Sequence, residues 1–525
     1  MKSKLIFAYL IATLVATSMA YSIDMDALNE LFETPEEPKE EMSYKEYGNF
    51  MNEWGDYYGY NGKIDEYRAN DTKRFNGAAY LDYTGSGVYR ESAVKKCFDE
   101  LENHLYGNAH SRNPSSMLTE NNVEAARDLI LKYFRADPKE YSVIFTSGAT
   151  GGLHLVGESF PWTKNSKFYY LHQNHNSVLG IREYAYHFGA NFSAIGEEQL
   201  PPVEACRTPD DVCREQCFNS MNAEEKAYSL FAYPAEDNFA GVKYPLEWIR
   251  LVQNGYFHDN TQWLVLLDAA AFVPTNRLDL SIYKPDFVTM SFYKMFGYPT
   301  GLGALLVRNK DATLLNKIYW GGGTVIFASE PDRFCLFHGR PCSRFEDGTV
   351  NFLGITSVKH MLKSIEEIGI DNIQRHVYSL TRYLYLSLAS LKHSNGNPVV
   401  EIYGKHDKAN GIYNGGIVSI NVKKYDGSYV GYYEIQSETS KDNIHVRTGC
   451  HCNPGACRLY LNQDNEQIKE WSKERDSCSD SYDLLDGKPL GAIRISLGYL
   501  TNFNDIMKMI NFVKGYIDYG KPESI

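Results

Sequence analysis

Long apolar runs are what this 525-residue sequence most conspicuously lacks: beyond its first twenty residues no stretch is long and apolar enough to cross a bilayer as a helix, so the body of the chain carries no such span. Positive charge is also in deficit. Lysine and arginine number 53 against 66 aspartates and glutamates, a net charge of -13, which excludes nucleic-acid binding through a generally basic surface. Ten cysteines in 525 residues are too few for a disulfide scaffold. Repeats are missing too, since the 40 tyrosines are scattered without a period. What is present is ordinary globular composition, 43% hydrophobic and 23% charged, at a length that predicts one large domain and one smaller one.

The first twenty residues form the exception. Met1-Lys-Ser-Lys4 is basic, Leu5 to Ala16 is a short apolar core, and Ser18 and Ala20 are small, which is the layout of a secretory signal peptide over residues 1–20. An uncleaved anchor is the alternative. This reading predicts the secretory pathway or an extracellular location, and a cytoplasmic one if the segment does not function as a signal. Sequons at Asn70-Asp-Thr72 and Asn191-Phe-Ser193, and a polar segment holding Cys206, Cys213 and Cys217 as plausible bridge partners, are compatible with that route. Residues 21–48 follow as an acidic lead with Glu33, Glu36, Glu37, Glu40 and Glu41 broken by Pro35 and Pro38. The folded body is expected to begin near Ala78.

From there apolar strands alternate with helical stretches, and each strand runs into a polar loop. Val143-Ile-Phe-Thr146 leads through Ser-Gly-Ala-Thr150 into a helix, whose free N–H groups at Gly148, Ala149 and Thr150 suit an anion. Phe168 to Leu171 leads to His175, Tyr228 to Tyr233 to Asn238, and Trp263 to Leu267 to Asp268. Phe287-Val-Thr-Met290 leads to Lys294 and a tight loop with Gly297, Pro299, Gly301 and Gly303. This is the pattern of a mostly parallel α/β sheet with its ligand site at the strand carboxyl ends. Residues 49–358 are assigned to that large domain, with 49–75 as an N-terminal extension. Residues 359–525 are assigned to a smaller α+β domain with a long helical stretch from Ile365 to Leu391, strands near Gly416–Asn421 and Ala492–Ser496, and a closing helix near Asn504–Tyr516.

A lysine at a strand end can be partly desolvated, which lowers its pKa and makes the amine a nucleophile; the bland alternative is a solvated loop lysine. Combined with an aspartate ending an earlier strand and an anion-binding helix start, Lys294 completes the parts of a pyridoxal phosphate (PLP) site. Further along, Cys450-x-Cys452-x4-Cys457 lies in a loop bounded by glycine and proline, with His445, Arg447 and His451 close in sequence, a setting that favours thiolate at Cys452. Three other readings compete with a nucleophile there: a zinc site, disfavoured because no second cysteine pair accompanies it; a disulfide between two of the three; and inert core thiols.

Tyr80-Leu-Asp-Tyr-Thr-Gly85, Tyr106-Gly-Asn-Ala-His-Ser111, Thr146-Ser-Gly-Ala-Thr150, Ser291 to Gly303, Gly321-Gly-Gly-Thr324, Arg344-Phe-Glu-Asp-Gly-Thr349, Arg447 to Cys457 and Arg494-Ile-Ser-Leu-Gly498 together carry a resemblance. It is to the class V aminotransferase-like, fold-type I PLP enzymes, within them the cysteine desulfurases, and above all to the N-terminal desulfurase domain of molybdenum cofactor sulfurases. The resemblance implies a seven-stranded-type, mostly parallel sheet and pyridoxal 5'-phosphate held by Lys294 as a Schiff base. Asp268 would pair with the pyridine nitrogen, His175 would stack on the ring and Asn238 would bond its hydroxyl. Gly148, Ala149, Thr150 and Ser291 would take the phosphate, with Thr349 reaching the phosphate of a neighbouring subunit in a homodimer. Arg494 would clamp the substrate carboxylate and Cys452 would carry a persulfide; no metal is implied. The expected reaction converts L-cysteine to L-alanine and passes sulfur to an acceptor such as the molybdenum cofactor or a carrier protein. The alternatives are another class V PLP lyase, of the selenocysteine lyase type, or an exported inactive homologue serving as a binding protein. Two positions depart from the common desulfurase pattern: Ala271 where many have glutamine, and Tyr293 where histidine often precedes the lysine.

Overall fold

The computed structural model describes residues 44–201, 226–474 and 482–522. The signal-like residues 1–20 and the candidate bridge partners Cys206, Cys213 and Cys217 lie outside them. Structure begins earlier than the sequence suggests, with helix α1 (Tyr44–Trp54) rather than near Ala78. The reason is aromatic spacing that the acidic neighbourhood masks: Phe50 is fully buried, with ring centroids 4.7 Å from Phe503 and 5.0 Å from Tyr58. The segment is then tied down by the Gly59 N–H, which donates to His376 Nδ1 at 3.0 Å while the Tyr58 ring stacks on the same imidazole.

Seven strands form the large sheet: β1 (Tyr141–Thr146), β2 (Lys167–Leu171), β3 (Asn191–Ile195), β4 (Tyr228–Pro234), β5 (Gln262–Asp268), β6 (Phe287–Ser291) and β7 (Gly303–Arg308). Their order is β1-β7-β6-β5-β4-β2-β3, parallel throughout except for β7, which runs antiparallel to both its neighbours. Helices cover both faces, so the inner strands are apolar without alternation; Trp263 to Leu267 are each at most 1% exposed. Pro234 is in register with Asp268, and Asp268 with Thr289, so β4 and β5 finish level and β6 runs two residues further, to Ser291. That edge receives helix α2 (Gly148–Ser159) after β1 and the short helix α3 (Phe292–Phe296) after β6.

The long helical stretch expected from Ile365 is two helices, α4 (Phe352–Ile368) and α5 (Ile370–Ala389). Gly369 divides them at φ +86°, a conformation that glycine alone adopts at little cost. A second, antiparallel sheet of β8 (Val400–Tyr403), β9 (Ile417–Val422), β10 (Arg447–Gly449) and β11 (Ala492–Ser496) has the order β8-β9-β11-β10. Helix α6 (Pro454–Tyr460) follows β10, and α7 (Phe503–Lys514) follows β11. The two sheets belong to one compact unit spanning residues 47–525.

Candidate active site

Lys294 sits on the single turn of α3, which is anchored by buried Phe292, Met295 and Phe296 and closed by Gly297 at φ +78°. The chain at Gly87 presses against this turn: its N–H donates to the Tyr293 carbonyl at 3.0 Å, and a Cβ there would stand 2.6 Å from the Lys294 carbonyl oxygen. The lysine is thereby fixed facing a cavity with roughly 530 Å³ of empty space, partly open to solvent. Thr150, His175, Asn238, Asp268, Ser291 and Lys294, gathered from five separate strand ends, all line it. Burial lowers the Lys294 amine below its usual range; Asp268 pulls it back up, while Arg494 and Arg447 push it further down.

The remaining wall is built to hold an anionic aromatic ligand. Asp268 is 8% exposed and accepts the Ala270 N–H at 3.0 Å, which orients its carboxylate at the end of β5. His175 caps the short helical turn after β2, its Nδ1 accepting the Ser177 N–H at 3.1 Å. Burial lowers the His175 pKa against the opposing pull of Asp268, so the ring presents a neutral face to the cavity. At the start of α2 the Ala149 N–H donates to Ser291 Oγ at 2.8 Å, and Thr150 Oγ1 lies 2.9 Å from Ser177 Oγ. Gly148 there adopts φ +70°, with room for a Cβ only 3.3 Å from Ser291 Oγ. A lysine amine, a carboxylate, a neutral imidazole and a helix N-terminus with two hydroxyls are the donor set that PLP requires, so these residues fit the cofactor. Thr349 stands apart, exposed, with its hydroxyl 3.4 Å from Asn108 Nδ2.

The cysteine loop belongs to the second sheet yet is docked onto the first. Cys452 is exposed and adopts φ +57°, directly after His451 at φ +56°, a costly pair of left-handed residues held by the surroundings. The Asn176 N–H donates to the Cys452 carbonyl at 2.8 Å, and Asn238 Nδ2 donates to the His451 carbonyl at 2.6 Å. Fully buried Asn453 donates through Nδ2 to the Gln173 carbonyl at 2.8 Å and to Asn238 Oδ1 at 3.0 Å, and caps α6 by accepting the Ala456 N–H. Asn238, expected on a ring hydroxyl, therefore also spends bonds on the cysteine loop. Cys450 and Cys457 form a disulfide, which takes two of the three sulfurs a zinc site would use and leaves Cys452 as the free thiol.

His451 is buried and burial, reinforced by Arg494 and Arg447, pushes its pKa well down, so it is not the cation that would favour a Cys452 thiolate. Arg447 is exposed, acts electrostatically on Lys294 and His175, and lies in register opposite Arg494. Arg494, expected to clamp a substrate carboxylate, is 1% exposed, paired with Asp82 at 2.7 Å and donating to the Asn238 carbonyl at 2.9 Å. Asp82, Asn176, Asn453 and Glu236 are site residues that sequence reasoning missed. Glu236 lines the cavity at 2% exposure, its carboxyl pushed up to about 8 by burial. For Asn453 a signal existed, since Asn-Pro is a helix start with the cap and the N1 proline in place.

Comparison with known proteins follows the same outline. The aminotransferase class-V family matches residues 79–509. A molybdenum cofactor sulfurase of Oryza sativa subsp. japonica is 41% identical over 488 residues, covering 89% of this chain and 59% of its own. That of Homo sapiens is 39% identical over 468 residues, covering 87% and 52%. The chain thus spans between half and two thirds of the length of these relatives. Among solved structures, a cysteine desulfurase from Thermococcus onnurineus NA1 superposes with a TM-score of 0.66 at 19% identity, covering 86% of this chain and 98% of that one. One from Escherichia coli gives 0.64 at 17% identity, with the same coverage. Because the match runs from Ala79, through the lysine turn and the cysteine loop, into the closing helix α7, the chain belongs to the aminotransferase class-V family.

Proposed function

We propose that the protein is a PLP-dependent cysteine desulfurase that converts L-cysteine to L-alanine and collects the sulfur as a persulfide on Cys452. The observation that carries this reading is the docking of an exposed thiol's loop, through Asn176, Asn238 and Asn453, onto the wall of a cavity containing a buried amine. Lys294 would bind the cofactor carbonyl carbon, Asp268 its ring nitrogen, His175 one ring face, and Gly148, Ala149, Thr150 and Ser291 its phosphate. Bound there, the cofactor supplies an electron sink for the pair released at the substrate Cα.

The chain's own groups do the rest. The lowered pKa of Lys294 leaves it able to take and return a proton once it is free of the cofactor. Cys452 Sγ, free and exposed, attacks the substrate sulfur: an S–S bond forms as the substrate Cβ–S bond breaks, and the carbon takes a proton to give alanine. The sulfur then passes to an acceptor, the molybdenum cofactor or a carrier protein by analogy with the named relatives. The active form on this reading is a homodimer. It is supported by the position of Thr349 outside its own cavity and by exposed Ile318, Tyr319, Ile326, Phe327 and Phe334 on the neighbouring chain segment. A secretory location is supported by the signal-like residues 1–20 and by the Cys450–Cys457 disulfide, a bond that persists in oxidising compartments.

Cys452→Ala tests the assignment. The purified variant should keep the visible absorbance of lysine-bound cofactor and lose the extra sulfur mass that L-cysteine adds to the wild type. Release of sulfide and alanine at the wild-type rate from that variant would exclude Cys452 as the nucleophile. A cofactor-free, colourless wild type would point instead to a binding protein, and pyruvate in place of alanine to a lyase.

A further inference from the structure

The two Asn-x-Ser/Thr sequons have no part in the chemistry above, and the fold treats them differently. At Asn70 the second and third residues are interior: Asp71 pairs with Arg90 at 2.7 Å, and the buried Thr72 donates its hydroxyl to the Arg68 carbonyl at 2.8 Å. Once folded, that sequon is closed. Asn191, Phe192 and Ser193, in contrast, are all exposed. They open β3, so their backbone is extended, and the Asn191 side-chain amide bonds to no other described residue.

Strand β3 is the outermost of its sheet and pairs with β2 alone among the described strands. An outer strand offers a row of backbone donors and acceptors to any other extended chain, and proteins blunt it with charge, proline or a cover. The opposite outer strand, β1, is covered: Arg127 Nη1 donates to the Val143 carbonyl at 2.6 Å, and the Phe145 N–H donates to Glu346 Oε1 at 2.7 Å. Strand β3 has none of these devices. Asn191-Phe-Ser-Ala-Ile195 contains no charge and no proline, and its Phe192 is 41% exposed. The chain entering it, from helix Ile181–His187 through a turn at Gly189 with φ +74°, adds exposed Tyr186 and Phe188.

We propose that Asn191 carries an N-linked oligosaccharide, and that this glycan is the cover β3 otherwise lacks. The proposal rests on the secretory location above. In the attachment step the Asn191 amide nitrogen bonds to C1 of the first sugar as the bond from that carbon to a lipid pyrophosphate breaks. The amide gives up one proton, the pyrophosphate leaves with the electron pair, and nothing is oxidised or reduced. A bulky, hydrated group at the head of β3 keeps a second chain from laying a strand along it, and it does so without burying any polar group.

The full chain, residues 1–20 included, is expressed in cultured eukaryotic cells, fractionated and purified. Wild-type protein from the secretory fraction should lose mass on treatment with an N-glycosidase, after which peptide mapping should read aspartate at position 191. Asn191→Gln and Ser193→Ala should each lack that glycan from the outset, whereas Ser193→Thr should keep it. An unmodified Asn191 in protein from the secretory fraction, or a glycan at Asn70 alone, overturns the proposal. Protein found only in the cytoplasm overturns the secretory reading instead. For the covering role, Asn191→Gln should form larger species than the wild type in size-exclusion chromatography, and adding Phe192→Lys, a charge on the same strand, should reverse this. An elution profile of Asn191→Gln equal to that of the wild type, or larger species that Phe192→Lys does not reverse, overturns the covering role.

Discussion

His376 makes a quantitative prediction about acid stability. Its imidazole is fully buried on α5, with Nδ1 accepting the Gly59 N–H at 3.0 Å and Nε2 facing the Thr501 carbonyl at 2.8 Å. Nε2 therefore donates, Nδ1 must stay unprotonated, and the ring is locked neutral. Burial lowers its pKa to about 4, against 6.5 for the free side chain. Between those values the unfolded chain binds a proton that the folded chain does not, so stability rises with pH through this window. The contribution is complete above pH 6.5 and is lost as the pH falls toward about 4, in total roughly 3 kcal/mol. Urea midpoints of the wild type and of His376→Gln, which keeps a donor and an acceptor but does not titrate, should be compared between pH 7 and pH 4. The wild type should lose roughly 3 kcal/mol more than the variant over that range. Parallel curves for the two proteins would refute the assignment of a buried, neutral His376.

Gly455→Ala would bring a Cβ within 1.8 Å of the His172 carbonyl oxygen, so it should undock α6 and abolish persulfide while cofactor absorbance persists, seen by mass and visible spectra of one sample. Asn453→Ala removes a cap and two buried hydrogen bonds, at a cost of roughly 2–4 kcal/mol in urea unfolding and with slower sulfur capture. Cys450→Ser with Cys457→Ser opens a short cross-linked loop and should lower unfolding free energy by roughly 2 kcal/mol, a difference that disappears when both proteins are assayed in reductant. Arg494→Lys cannot reach both Asp82 and the Asn238 carbonyl with one planar fork, so kcat/KM for L-cysteine should fall by about tenfold or more; an unchanged value would remove Arg494 from the site.

The strand ends carrying His175, Asn238, Asp268 and Lys294 were legible because each follows an apolar run with an abrupt polar break, and a parallel sheet forces such breaks to one edge. Cavity membership for all four follows from that single rule. The direction of β7 was not legible, since an apolar run reads the same whether it pairs parallel or antiparallel. Helix α1 was hidden because its buried side depends on Phe50 meeting Phe503, a contact across more than 450 residues that leaves no local trace beyond aromatic spacing. The motifs at Asn108 and Thr349 read as functional but not as neighbours, because nothing in either stretch encodes the turn geometry that brings them together. Asn238 was placed in the wall but its bonds to the cysteine loop were invisible, since they join the two sheets.

Those bonds have a wider consequence. The buried amine of Lys294 rides on one sheet and the exposed thiol of Cys452 on the other, with Asn238 and Asn453 as the stitching between them. On the proposed reading, cofactor binding and sulfur capture are therefore separable by mutation: a change on the Cys452 side can end sulfur capture and leave the lysine pocket able to hold its cofactor.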